Sequence, residues 1–211
     1  MVLLLLIVIF LITTAFVWFD GLWSAAISLI TVMLSGLVAM NYFEPLAAMF
    51  DGMLSSYTYF FDFLSLWILF MVTFAILRAI AGLLSKYRVR FDLPVEIAGR
   101  SILAVWVGWI LVCFTCTTLH TAPLGGNSFG GSFQKDLPVS DGTVGLPGGL
   151  FLGMAPDRKW LGFVQSRSEG ALKTWNPNPF DPKGEFIIKY RSRRTKLEQH
   201  VNQTGTMRVR K

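Results

Sequence analysis

Charged residues are scarce in this chain of 211 residues. Asp, Glu, Lys and Arg together make up 15% of it, whereas a typical soluble domain carries roughly 25%. Hydrophobic residues make up 53%, and the mean hydropathy is +0.53. This composition disfavours an ordinary soluble domain and predicts an all-α membrane protein.

Sequence patterns associated with chemistry are also missing. Only two cysteines occur, Cys113 and Cys116, and both lie in an apolar run, so no disulfide framework is expected. No glycine run is followed by Lys-Ser or Lys-Thr as in a phosphate-binding loop, and neither GxSxG nor HExxH occurs. His120 shares a helix face with the two cysteines, but the loose spacing favours buried thiols over a metal site. We therefore expect no enzyme activity, no catalytic residue, no metal and no other cofactor.

Long apolar runs fill the first part of the chain. Residues 2–43 are apolar except for Asp20, and one helix of that length would measure about 63 Å, about twice the bilayer core. Asp20-Gly21 is the available turn, and Glu44-Pro45 is expected to end the second run. The predicted membrane domain, residues 1–120, therefore has four spans, at about 2–19, 22–43, 58–84 and 95–119.

The remainder of the chain is polar and basic, with 14 basic and 7 acidic residues after position 119. Residues 121–155 are rich in glycine and predict a flexible linker. Residues 156–211 form a basic tail that is expected to be largely irregular. Its segment 156–172 can form a short amphipathic helix, and FIIKY (186–190) a short strand or a membrane-docking segment. Within segment 156–172, three residues are expected to lie at a membrane interface: Trp160, Phe163 and Arg167.

Basic residues indicate the orientation. Lys86, Arg88 and Arg90 lie in the short connection between the third and fourth spans, whereas residues 44–56 contain no Lys or Arg. Short basic connections stay in the cytoplasm, and long segments are translocated largely regardless of charge. Both termini are therefore expected outside the cytoplasm.

A few polar residues interrupt the predicted spans. Asp62 and Arg78 are expected to reach the two membrane interfaces separately. Glu96 and Arg100 are spaced i, i+4 and are expected to form an ion pair, with a role in a polar path or a partner contact as the alternative. Small residues let helix backbones approach closely in lipid, or they can line a pore. Those expected in helix seams are Ser28, Ser35, Gly99 and Gly108.

The pattern of residues 5–120 resembles the CvpA family, the colicin V production proteins of bacterial inner membranes. The resemblance rests on four features: Gly21-x-x-x-Ala25-x-x-Ser28-Leu29, Asn41-Tyr42-Phe43, the run FLSLWILFMVTFAILRAIAGLL, and Gly99-Arg100 after a basic connection. It implies a multi-pass inner-membrane protein that supports toxin or bacteriocin production or export and envelope homeostasis, without catalytic residues. The alternative is a channel or transporter subunit with a polar path near Asp62, Glu96 and Arg100.

The expected partners follow from the same features. The spans are expected to contact the lipid bilayer, and the basic tail an anionic lipid or a cell-wall polymer. Another membrane protein or a second copy of the chain is a further expected partner. Aromatic residues are few among the basic residues of the tail, so no nucleic-acid partner is expected.

Overall fold

The computed structural model describes residues 2–53, 58–85, 92–125, 128, 155–169 and 180–205. Over these residues the chain is helical, with no β-strand. Its helices are α1 (Val2–Phe19), α2 (Leu22–Met53), α3 (Thr58–Leu84), α4 (Leu93–Leu119), α5 (Pro156–Glu169) and α6 (Phe186–Thr204). The first four are long and apolar enough to cross a membrane. The prediction of an all-α protein with four such helices is confirmed over the described residues.

The four long helices run alternately up and down. The α1–α2 turn lies at Asp20-Gly21, where Gly21 has a φ of +85°, a left-handed conformation that glycine adopts without strain. Helix α2 packs against both α3 and α4, and α1 packs against α4. One end of this bundle, here called the Asp20 end, holds the α1–α2 turn and the start of α4. The opposite end, called the His120 end, holds the start of α3 and the end of α4.

Small residues lie where the helices approach most closely. A Cβ atom on Gly108 of α4 would press against Phe10 and Thr14 of α1, and one on Gly99 would press against Leu22. In α2, Ser28 and Ser35 are buried. Small side chains allow this close approach because they occupy little space between the two backbones.

Helix α2 is longer than expected. It continues through Pro45 to Met53, so the prediction that Glu44-Pro45 ends the helix is wrong. A proline removes one backbone hydrogen bond, but contacts with the start of α3 hold the added turns in place. Phe50 lies 6.0 Å from Phe61 between ring centroids, and Thr58 donates a hydrogen bond of 2.5 Å to Asp51.

Aromatic rings join three helices in the core. The ring of Phe114 in α4 stacks on Phe70 of α3, with centroids 4.5 Å apart. Phe114 also forms a T-shaped contact with Trp160 of α5, with ring centroids 5.9 Å apart. Helix α5 is therefore part of the bundle core.

The tail is more regular than expected. FIIKY is neither a strand nor an isolated docking segment, because it begins the 19-residue helix α6. The buried side chains of α6 follow a helical period, and they are Phe186, Ile187, Tyr190, Arg194 and Leu197. The helix ends at Gly205, which has a φ of 68° and donates a hydrogen bond to Val201. Most of the predicted linker, residues 170–172 of the predicted amphipathic segment, and Lys86, Arg88 and Arg90 lie outside the described residues.

Candidate functional site

Polar side chains of the bundle collect at its two ends. At the Asp20 end, Arg78 of α3 donates hydrogen bonds to Asp20 (3.1 Å), Ser24 (2.8 Å) and Ser28 (2.9 Å). The guanidinium group of Arg78 therefore binds α2 and the α1–α2 turn, which are partners that the sequence did not indicate. This contact connects α3 with α2 and the α1–α2 turn at one end of the bundle.

Glu96 and Arg100 also lie at the Asp20 end, but the predicted ion pair between these two described residues does not form. Glu96 instead accepts a hydrogen bond of 2.8 Å from the backbone N–H of Leu22, at the start of α2. A carboxylate is favoured there because the first N–H groups of a helix have no partner within it. Arg100 lies over the ring of Trp18, with its Cζ atom 4.0 Å from the ring centroid. Glu96 therefore binds α2, whereas Arg100 contacts α1.

At the His120 end, Asp62 of α3 binds the tail. Tyr190 of α6 donates a hydrogen bond of 2.9 Å to Asp62, and Arg193 forms an ion pair with the same carboxylate oxygen. Arg193 also donates to the backbone oxygen of Thr58, at 3.1 Å. Asp62 is 7% exposed and is buried against α6, a partner that the sequence did not indicate. Burial and the nearby negative charge of Asp62 raise the pKa of Tyr190, which keeps the phenol protonated as a donor.

Two further contacts hold α6 in place. Lys189 forms an ion pair of 2.5 Å with Glu44, near the end of α2. Arg194 donates a hydrogen bond of 3.2 Å to the backbone oxygen of His120. Burial lowers the pKa of Arg194 to about 10, so this residue still carries its charge near neutral pH. Helix α6 is therefore attached to α2, α3 and the end of α4.

Helix α5 is attached through a buried carboxylate. The Nε2 atom of His120 lies 3.1 Å from Oδ2 of Asp157, and the two side chains are only 2% and 0% exposed. Thr117 donates a hydrogen bond of 3.2 Å to the backbone oxygen of Asp157. Further along α5, Ser168 donates to Asn41 of α2, at 2.8 Å. These polar contacts place α5 across α2 and α4.

The apolar side of α5 faces the protein. Trp160 is 4% exposed and contacts Gly36 and Phe114, and Val164 is fully buried. Phe163 is partly buried, with the guanidinium carbon of the exposed Arg167 lying 5.9 Å from its ring centroid. The expectation that Trp160 lies at a membrane interface is therefore corrected. An amphipathic period shows that one helix face is covered, but it does not show whether protein or lipid covers it.

The tail residues that make these contacts were not predicted from the sequence. They are Asp157, Ser168, Lys189, Tyr190, Arg193 and Arg194. A sequence signal was present, because Phe186, Tyr190 and Leu197 recur at helical spacing. The partners of these residues lie far away along the chain, and their identity was not visible in the sequence.

The contacts described above connect helices to one another. Cys113 and Cys116 are buried in α4. Within the described part of the chain, no three His, Cys, Asp or Glu side chains are placed to hold a metal ion. Asp62 lies at the His120 end, whereas Glu96 and Arg100 lie at the Asp20 end.

Comparisons of the chain with protein-family models, with curated proteins and with solved structures gave no match. Function must therefore be inferred from the residues and their geometry.

Proposed function

We propose that this chain is a non-catalytic, multi-pass protein of a bacterial inner membrane, of the CvpA type. It supports toxin or bacteriocin production or export and the homeostasis of the envelope. One observation carries the proposal: the polar side chains of the apolar helices bind other helices of the same chain. Asp62 binds α6, and Arg78 binds the α1–α2 turn.

A scaffold role suits this use of polar groups. A polar group in lipid is costly unless it has a partner, so a buried Asp or Arg usually marks either a pathway or an internal contact. Here the contacts attach two tail helices to one end of the bundle, through Asp62 and His120. The result is a membrane body with an attached cap, which is suited to organising other envelope components.

The channel or transporter alternative has less support. It needs Asp62, Glu96 and Arg100 to line one path, but they lie near opposite ends of helices about 40 Å long. Glu96 and Arg100 are also engaged by Leu22 and Trp18. A path through the bundle would have to be lined by other residues.

We further propose that both termini lie outside the cytoplasm. Lys86, Arg88 and Arg90, in the short α3–α4 connection, support this orientation. The start of α1 packs beside the end of α4, where Leu6 and Leu119 share a cluster, so one side of the membrane would hold both. Alkaline phosphatase should be active when fused after Thr121 and inactive when fused after Arg90. The opposite result would contradict the orientation.

Deletion of the gene tests the function. The deletion strain should become sensitive to detergents and bile salts, or export less bacteriocin. The double variant Cys113→Ala/Cys116→Ala should restore function if thiol chemistry plays no part. Unchanged sensitivity and unchanged export in the deletion strain would refute the proposal.

A matched pair of glycine variants links the phenotype to helix packing. Gly108→Leu should fail to restore function, because a side chain there meets Phe10 and Thr14 of α1. Gly82→Leu should restore it, because Gly82 of α3 has no described heavy atom within 4 Å of a Cβ position. Equal restoration by both variants would contradict a role for the α1–α4 seam.

A further inference from the structure

Three cations lie on one face of α6. Lys189, Arg193 and Lys196 are spaced i, i+4 and i+7, which places them in a row along a helix. Together with Thr58, Tyr59 and Ser192 they line a surface cavity of about 450 Å³. Among the described residues that line it there is no carboxylate, so the cavity wall is basic and rich in hydroxyl groups.

The cavity lies at the level of one end of α3. This helix has 27 residues and is therefore about 40 Å long, close to the thickness of a bilayer with its headgroups. Thr58 and Tyr59, in its first turn, then lie in a headgroup layer. The bond from Arg193 to the backbone oxygen of Thr58 holds the cationic row of α6 at this level.

Apolar side chains continue from the cavity along α3. Phe63 and Trp67 are partly exposed, and they follow Tyr59 at intervals of four residues, which places them on its side of the helix. Tyr59 lies above them, and its ring centroid is 5.9 Å from the guanidinium carbon of Arg193. Tyrosine is common where a membrane protein meets the headgroup layer. A ligand with a negative head and an apolar chain would match both parts of this surface.

We propose that the cavity binds the phosphate headgroup of an anionic phospholipid, with its acyl chains along the side of α3 that follows Tyr59. The proposal rests on the membrane placement proposed above. Lys189 forms an ion pair with Glu44, and Arg193 forms one with Asp62. Lys196 has no described carboxylate within 4 Å, so its charge is available to a ligand. This site lies on α6 and differs from the expected lipid contact of Trp160 on α5.

Lipid binding to the purified full-length chain tests the site. The chain in mild detergent is titrated with phosphatidylglycerol or with phosphatidylcholine of the same acyl chains, and bound lipid is counted by native mass spectrometry. Phosphatidylglycerol should bind more tightly. Lys196→Gln should weaken its binding about fivefold, the equivalent of about 1 kcal/mol for one lysine near an anionic surface. The double variant Lys189→Gln/Lys196→Gln should weaken it further.

A matched control separates this site from general charge attraction. Lys159→Gln removes an exposed lysine from α5 and should leave binding unchanged. Ser192→Asp adds a negative charge to the cavity and should weaken binding. This variant tests the site if Lys196→Gln fails to elute as a folded protein. Equal binding of phosphatidylglycerol and phosphatidylcholine would overturn the proposal. An equal decrease in phosphatidylglycerol binding in Lys159→Gln and Lys196→Gln would also overturn it.

Inorganic phosphate distinguishes a lipid site from a soluble-anion site. A large excess should displace little phosphatidylglycerol, because the acyl chains also bind. Complete displacement would refute the lipid assignment. The two proposals also fail separately: tight lipid binding without a deletion phenotype refutes the proposed function alone, and a deletion phenotype without lipid preference refutes this site alone.

Discussion

His120 and Asp157 form a buried contact between the end of α4 and the start of α5, with 3.1 Å between Nε2 and Oδ2. The two residues are 37 positions apart, and most of the chain between them is the glycine-rich segment. A buried carboxylate is costly without a partner, so this contact favours the attached position of α5 over a detached one.

Asp157→Ala should loosen α5. The variant removes one partner of His120 from a buried site, a loss that typically costs about 1–3 kcal/mol. Backbone amides of α5 should exchange with deuterium faster than in the unchanged chain, as measured by mass spectrometry in detergent. Lys159→Ala, on an exposed position of the same helix, is the control and should leave exchange slow. Equal exchange in Asp157→Ala and the unchanged chain would show that the contact does not hold α5.

Gly36→Ala should destabilise the contact between α2 and α5. A Cβ atom there would overlap the six-membered ring of Trp160, and overpacking of this kind typically costs about 1–3 kcal/mol. The melting temperature in detergent should fall, and the smaller side chain in Gly36→Ala/Trp160→Leu should recover part of the loss. Gly82→Ala is the matched control. It should stabilise α3 by up to about 1 kcal/mol, since alanine favours helix more than glycine and has space there.

Tyr190→Phe should weaken the attachment of α6. It removes the hydrogen bond of 2.9 Å to Asp62, and a bond to a charged group is worth about 1.5–3 kcal/mol. The melting temperature should fall, whereas Tyr42→Phe, at an exposed tyrosine of α2, should leave it nearly unchanged. A similar fall in both variants would indicate that the Tyr190 hydroxyl contributes nothing specific.

Asp181 should make the stability of the tail depend on pH. Burial raises its pKa above the ordinary value of 3.8, despite hydrogen bonds from the backbone N–H groups of Phe186 and Glu185. The folded chain therefore holds this proton more tightly than the unfolded chain, and the stability due to Asp181 decreases as pH rises from 3.8 through the folded pKa. Asp181→Asn carries no titrating carboxyl group, so its melting temperature should lack this part of the pH dependence.

Asp181→Ala provides the contrast. Asp181 has a φ of 46° and accepts a hydrogen bond of 2.6 Å from Glu185 N–H at the start of α6. Asparagine tolerates this left-handed backbone and keeps an acceptor, whereas alanine does neither. The alanine variant should melt at a lower temperature than the asparagine variant at every pH. The reverse order would contradict a role for Asp181 at this helix start.

The sequence by itself determined the four apolar helices and the turn between the first two. Both are local properties. The length of an apolar run can be read directly from the sequence, and Gly21 can adopt a positive φ whatever surrounds it. The same local reasoning failed at Pro45, because distant contacts of Phe50 and Asp51 with α3 outweigh the one backbone hydrogen bond that proline removes.

Only the tertiary structure decided which partner each polar or amphipathic residue has. Glu96 was expected to bind Arg100 four positions away, but it binds the N–H group of Leu22, which is 74 positions away. The apolar face of α5 was visible in the sequence, but its partner was not. Trp160 was expected at a membrane interface, whereas it packs against Gly36 of α2. Periodicity is a property of one helix, whereas the choice among lipid, a protein groove and a distant charge depends on where the other helices lie, and that is set when the bundle and its tail pack together.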